Sequence, residues 1–224
     1  YDGPTLLGFL ESVPLDRSDA QHVSARLPVQ WVIRPQSEEY HDYRGYAGQI
    51  ASGEFRPGDE VVVLPAGRTS TVLAIETLGG PCDVAQAPAS VTIRLTDNID
   101  LSRGDMIAHP HQAPTVTREL VADVCWMNER PMTARGRYVL RHTTREVTAI
   151  VDAIEYRVDI HTLGHEPASS LELNDFGRIR LRTSAPLAID SYARDRTTGS
   201  FILIDEATNE TLAGGMLVGG VSAG

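Results

Sequence analysis

The chain has 224 residues and a mass of 24.4 kDa, with 30 acidic and 20 basic side chains and a formal net charge of −10. All 20 basic residues are arginine. Without lysine the chain cannot complete a Gly-x-x-x-x-Gly-Lys-Ser/Thr phosphate loop, a Schiff-base mechanism or the lysine-dependent site of a protein kinase. The acidic balance argues against a nucleic-acid partner, because phosphate backbones are bound by clustered cations. No apolar stretch approaches the roughly 20 residues of a membrane span, and the first residues lack the pattern of a signal peptide. Cys82 and Cys125 are too sparse for a disulfide framework and wrongly spaced for zinc, so reduced thiols in a cytoplasmic protein are expected.

Residues 4–13 predict a short helix. Asp2 is positioned to cap it, Pro4 suits its first turn, and Pro14 stops it. Leu6, Leu7, Leu10 and Val13 form an apolar stripe at helical spacing. An isolated helix of this length is not stable in water, so the stripe requires a partner surface. After a polar stretch over 16–26 the pattern changes to period two. Strands are predicted at 29–34, closed by Pro35, and at 46–53. Pro57 and Gly58 supply a tight turn. Further strands follow at 60–65, 69–76, 91–95 and 106–108, with turns at Ala66 and Gly67 and at Ser102 to Asp105. Short strands with turn signals every 8–12 residues indicate a barrel or sandwich. Residues 110–114 read as a linker. A second block predicts strands at 118–126, 137–142, 145–158 and 177–183, then a hairpin pair at 200–205 and 211–218. Only residues 161–173 have helical or irregular character. The glycine-rich tail from Gly214 is expected to fray. The expected fold is all-β: a short N-terminal helix followed by two consecutive β-barrels.

Several fragments imitate catalytic signatures. Gly3-Pro-Thr-Leu-Leu-Gly8 has the glycine spacing of a phosphate loop, but Phe9 and Leu10 stand where Lys and Ser/Thr are needed. Asp42-Tyr-Arg-Gly45 has the Asp-x-x-Gly form of a γ-phosphate sensor with no nucleotide loop upstream, and reads as a turn. Gly220-Val-Ser-Ala-Gly224 matches a nucleophile elbow without the helix that must follow it. His161 and His165 could share a metal only on a helix, which Gly164 weakens, and no third ligand is evident. His109 and His111 flank a proline and read as exposed. Asn209-Glu-Thr211 is a sequon without secretion signals. Pairs such as Glu38-Glu39 and Asp205-Glu206 read as solvated surface. No catalytic, cofactor-binding or metal-binding residue is assigned. Between Arg130 and Arg145 five arginines cluster, and Arg137, Arg141 and Arg145 share strand parity. They are the candidate partner-docking residues, against the plainer reading of a solvated face neutralised by nearby acids.

The segment Tyr1-Asp-Gly-Pro-Thr-Leu-Leu-Gly-Phe-Leu-Glu resembles the last helix of a translation-factor-like GTPase domain. Arg26-Leu-Pro-Val-Gln-Trp-Val-Ile-Arg-Pro, Tyr43-Arg-Gly-Tyr-Ala-Gly-Gln-Ile-Ala-Ser-Gly, Phe55-Arg-Pro-Gly-Asp-Glu and Asp100-Leu-Ser-Arg-Gly-Asp-Met-Ile resemble the second domain of that superfamily. Val124-Cys-Trp-Met-Asn-Glu-Arg-Pro-Met, Thr162-Leu-Gly-His, Leu171-Glu-Leu-Asn-Asp-Phe-Gly and Ser200-Phe-Ile-Leu-Ile-Asp-Glu-Ala-Thr-Asn are more diagnostic. They resemble the large, GTP-hydrolysing subunit of bacterial sulfate adenylyltransferase. One departure is Ala87-Pro-Ala-Ser, which fills a turn where that family usually has glycine.

The resemblance implies barrels like domains two and three of elongation factor Tu-like GTPases. It divides the chain into a remnant helix and linker (1–25), a first barrel (26–113), a second barrel (114–218) and a flexible tail (219–224). It places GTP and Mg in a domain upstream, with no cofactor in this part, and none of the family's nucleotide residues carries over. The parent enzyme would make adenosine 5′-phosphosulfate from ATP and sulfate, driven by GTP hydrolysis, in sulfate assimilation. The expected partners are the small catalytic subunit, the chain's own GTPase domain and, in some members, a fused adenylylsulfate kinase domain. This part would be non-catalytic, coupling and docking. The competing readings are RNA- or protein-binding barrels of another translational-type GTPase, and a stand-alone β-barrel scaffold.

Overall fold

Alternation of apolar and polar residues is answered by two antiparallel sheets, preceded by one helix. A computed structural model describes residues 3–13, 24–35 and 43–220. Helix α1, Leu6–Ser12, is capped by Thr5, whose Oγ1 accepts the Gly8 N–H at 3.1 Å. The cap expected at Asp2 lies outside the described residues. A hydroxyl one residue before the helix satisfies an otherwise orphaned donor, which is why Thr5 takes the role. The apolar stripe has no cover among the described residues: Leu6, Leu7 and Leu10 are 75%, 66% and 62% exposed.

The first sheet is built from β1 (Arg26–Pro28), β2 (Trp31–Ile33), β3 (Gly45–Gln49), β5 (Glu60–Leu64), β6 (Arg68–Thr77), β9 (Ser90–Leu95) and β10 (Met106–Ala108). Their order is β1-β10-β5-β6-β9-β3-β2, with β7 (Gly80–Pro81) appended to β6. The two-residue strands β4 (Glu54–Phe55) and β8 (Ala85–Gln86) pair separately. The sheet curls until β1 returns to the end of β3. There the Arg26 N–H donates to the Ser52 carbonyl at 3.0 Å and the Ala51 N–H to the Arg26 carbonyl at 2.8 Å. Inward residues such as Leu27, Tyr46, Val61, Val63, Ile75 and Ile93 form its core.

The second sheet contains β11 (Thr115–Trp126), β13 (Arg137–His142), β14 (Arg145–Val158), β15 (His165–Glu166), β17 (Phe176–Ile189), β18 (Ser200–Ile204) and β19 (Thr211–Gly220), while β12 (Met132–Thr133) pairs with β16 (Ser170–Leu171). The order β13-β18-β19-β11-β17-β14 is closed by direct pairing of β13 with β14, giving a six-stranded barrel with β15 on its edge. Leu120, Ala122, Val124 and Trp126 alternate inward from β11 onto Leu140, Ile179 and Leu203.

Four expectations change. The strand expected at 29–34 is two strands, and the sheet begins at Arg26, inside what reads as a polar stretch. The linker at 110–114 is a 3-10 turn, Pro110–Gln112, bonded to the first barrel through Gln112. Residues 161–173 hold β15 and β16 and no helix. The glycine-rich tail does not fray through Gly220, because β19 lies between β18 and β11. Glycine is required there: a Cβ on Gly215 would stand 2.3 Å from the Phe201 ring. The flexible tail expected at 219–224 therefore gives up Gly219 and Gly220 to β19, and residues 221–224 lie outside the described residues.

Candidate functional site at the junction of the two barrels

Among the described residues, the buried charged side chains gather where β1 meets the end of β17. The side chains of Arg26 and Asp190 are 0% and 1% exposed. They form a fork, Nε to Oδ2 at 2.9 Å and Nη2 to Oδ1 at 3.1 Å. The remaining guanidinium donors reach the Gln112 carbonyl at 2.6 Å and the Ala25 carbonyl at 3.0 Å. Asp190 also accepts from Thr198 Oγ1 at 2.8 Å. Burial alone would raise the Asp190 pKa, but the Arg26 hydrogen bonds and charge, with Thr198 and Arg194, hold it below the ordinary carboxylate value. Arg194 donates to Ser24 Oγ at 3.0 Å, and Ser24 donates to Gln112 Oε1.

Behind this pair, His142 at the end of β13 is fully buried, with Nε2 2.7 Å from the Thr198 carbonyl. Burial pushes its pKa down, more than the Thr198 carbonyl, Asp190 and Asp195 push it up. Asp195 Oδ1 accepts from the Thr197 and Thr198 N–H groups, while its buried Oδ2 has no partner among the described residues.

Two further contacts extend the junction. Thr144 Oγ1 donates to the Val29 carbonyl at 2.9 Å, and Arg145 Nη1 to Asp105 Oδ1 at 2.9 Å. An apolar cluster sets Val62, Leu64, Met106 and Ala108 of the first sheet against Ala188 of β17. Fully desolvated ion pairs satisfied on every side fix geometry more than they add stability, and removing one partner is costly. This arrangement orients two barrels relative to each other.

The structure brings Arg137 and Arg141 to one exposed face of β13 and sends Arg145 elsewhere. Arg137 Nε lies 3.8 Å from Glu206, and Arg141 Nε donates to Glu146 at 2.7 Å. Arg145 sits opposite His142 across the Thr143–Thr144 turn and shares the face of His142, so it reaches the junction. Parity counted along one strand does not survive a two-residue hairpin. His161 lies in an exposed turn and His165 stacks on Tyr156 at 3.8 Å. Among the described residues no group of three or more His, Cys, Asp or Glu could hold a metal ion. His109 is half-buried, edge-on to Phe55, with Nε2 3.3 Å from Asp59. The fragment from Gly3 to Leu10 is spent on α1 and its cap and forms no phosphate loop. Sequence reading missed Arg26, Asp190, His142 and Thr198, because 164 positions separate the ion pair and no local pattern links its members.

A curled sheet and a closed six-stranded barrel joined by a buried ion pair define the class: paired barrels of the translation-factor GTPase type. The profile of the GTP-eEF1A C-terminal domain-like family matches residues 119–218. The solved structure of sup35 complexed with GMPPNP superposes with a TM-score of 0.80 at 18% identity, over 99% of this chain and 53% of that one, which establishes the fold alone.

Sequence relatives are more particular. The bifunctional enzyme CysN/CysC of Mycobacterium tuberculosis is 50% identical over 100% of this chain and 36% of that protein. Sulfate adenylyltransferase subunit 1 of Bacteroides fragilis is 42% identical over 97% of this chain and 45% of that protein. The chain is similar over nearly its whole length to sulfate adenylyltransferase subunit 1 proteins and spans less than half the length of these relatives. No helix among the described residues is long and apolar enough to cross a membrane.

Proposed function

We propose that these barrels are the non-catalytic coupling and docking arm of a sulfate adenylyltransferase large subunit. The parent enzyme would form adenosine 5′-phosphosulfate from ATP and sulfate, driven by GTP hydrolysis in a separate domain that holds GTP and Mg. Adenylyl transfer would occur on the small subunit. The arm would pass the nucleotide state of the GTPase domain to that subunit as a rigid-body displacement. The observation that carries this reading is the buried Arg26–Asp190 fork, which lets a displacement of one barrel carry the other with it. The uncovered apolar face of α1 supports docking of a further domain at that end. Arg137 and Arg141 are the docking residues proposed for the small subunit, although each faces an acid of its own barrel. A fused adenylylsulfate kinase belongs with this reading where relatives carry the bifunctional name.

The test combines this chain with purified small subunit in analytical ultracentrifugation and assays GTP hydrolysis separately. A complex weakened by charge reversal at Arg137 and Arg141, with no GTP turnover by the chain alone, is expected. Measurable turnover by the chain, or failure to bind the small subunit, overturns the reading.

A further inference from the structure

On the first sheet, lined by none of the junction residues, a hollow of about 460 Å³ opens between the ends of β2, β3 and β9. Arg34, Arg44 and Arg94 line it together with Tyr43, Tyr46 and Leu73. Three guanidinium groups therefore converge on one concave surface of a chain whose formal charge is −10.

Among the described residues their pairing with carboxylates is loose. Arg44 Nη1 donates to the Ile99 carbonyl at 3.0 Å, and no carboxylate among the described residues pairs with it. Arg34 Nη2 stands 3.4 Å from Asp100, whose side chain is 90% exposed. Arg94 Nη1 is 3.9 Å from Glu76, with its guanidinium 5.0 Å from the centroid of the Tyr43 ring. The buried Arg26 provides the contrast, with two carboxylate oxygens within 3.1 Å. Asp97 also lines the hollow, but its Oδ2 already accepts from Ser70 at 2.7 Å and Thr96 at 3.2 Å.

The walls are fixed in place. Tyr46 donates to the same Ile99 carbonyl at 2.7 Å and is buried beneath the hollow. Tyr43 donates to Glu76 at 2.7 Å. Desolvation and that carboxylate push the Tyr43 pKa up to about 12, so its hydroxyl adds no negative charge at neutral pH.

Arginine forks match the geometry of tetrahedral oxyanions and hold them by charge-assisted bonds. The volume falls in the range of small-molecule sites, about 300–1,000 Å³, and is much larger than an inorganic anion needs. Leu73 offers apolar wall to an organic group. We propose that this hollow is a binding site for a phosphate or sulfate ester of nucleotide size, held by Arg34, Arg44 and Arg94. The proposal goes beyond the coupling role and stands on different residues.

Isothermal titration calorimetry on this chain tests it, with adenosine 5′-monophosphate, adenosine, inorganic phosphate and inorganic sulfate as separate probes. The monophosphate should bind with one-to-one stoichiometry, more tightly than either inorganic ion, and adenosine should not bind. Arg34→Gln and Arg94→Gln should each weaken the monophosphate by about tenfold or more, the loss typical of a charged hydrogen bond. Arg182→Gln, on the outer face of β17, should leave it unchanged. Thermal melts of the three variants establish that they are folded. Equal binding of adenosine and its monophosphate, binding of the inorganic ions alone, affinity indifferent to both Arg34→Gln and Arg94→Gln, or no binding to the folded chain would each overturn the assignment.

Discussion

In the second barrel, β13 pairs with β14 at every position from Arg137↔Ile150 to His142↔Arg145, and the six-stranded ring has no gap. In the first, β1 meets the end of β3 only through the Arg26–Ser52 bridge, and β2 ends the sheet with Trp31 exposed. The closed barrel satisfies its own backbone, as full closure allows. The curled sheet does not. Its first strand is three residues long, and that strand's Arg26 is buried against Asp190 of the other barrel. The junction is therefore part of the first barrel's own closure, and the two halves should depend on it unequally.

Asp190→Ala is the strongest way to test that inequality. It leaves the buried Arg26 guanidinium without its carboxylate, which should cost about 3–5 kcal/mol in urea unfolding. Hydrogen exchange should show where the loss falls. Amides of β1 and β3 should lose protection first, while those of β11 and β17 keep theirs. Equal loss in both barrels would mean that the first barrel closes without help.

A smaller effect comes from two glycines, one in each barrel. A Cβ on Gly48 would stand 2.4 Å from the Pro28 carbonyl oxygen, and one on Gly215 would stand 2.3 Å from a ring carbon of Phe201. Backbone yields less readily than a side chain. Gly48→Ala should push β1 off β3 and cost more than Gly215→Ala, both within the about 1–3 kcal/mol of overpacking. Phe201→Leu should partly rescue Gly215→Ala. No substitution in the first barrel should do so, as thermal melts of the double variants would show.

The same contrast governs what could be read in advance. The closed barrel announces itself: β13 and β14 fall on the expected residues 137–142 and 145–158, because strong alternation on both arms flanks a short polar turn. β17 was legible only to Thr183. The strand continues through Ser184, Ala185 and Pro186 to Ile189, where the pairing with β11 skips from Arg182 to Leu187. Proline is tolerated where the ladder is interrupted. In the curled sheet β4, β7 and β8 are two residues each, too short for any periodicity. The junction was illegible for a different reason. Arg26 sits in a polar stretch, and nothing local says that it is buried. The arginine parity argument placed Arg137 and Arg141 together and misplaced Arg145, since crossing a two-residue turn exchanges the faces.

Acid should weaken the junction in two stages. The His142 pKa is lowered in the fold, so its contribution is present above the unfolded value near 6.5 and declines as pH falls through the folded one. The Asp190 pKa is also lowered, so its contribution persists until pH drops below about 3.9 and is lost through its folded value. Urea midpoints measured from pH 8 downward should begin to fall below about pH 6.5. His142→Gln should remove that first decline and leave the second. A profile flat to about pH 4 in the parent chain would mean that His142 titrates normally.

The smallest effects belong to charges of the same kind on the closed barrel's outer face. Arg178 forks onto Asp123 at 2.8 and 2.9 Å and lies 5.3 Å from the Tyr156 ring centroid. Arg182 makes a single contact with Asp152 at 2.7 Å on a face open to solvent. Water screens both, so Arg178→Ala should cost at most about 1 kcal/mol, fork and ring contact included. Arg182→Ala should leave the melting temperature within measurement error. The arginine–carboxylate chemistry is the same as at Arg26, so the order Arg26, Arg178, Arg182 isolates burial as the variable. If Arg178→Ala proved as costly as Asp190→Ala, the closed barrel would also depend on a charge pair, and the asymmetry between the two barrels would disappear.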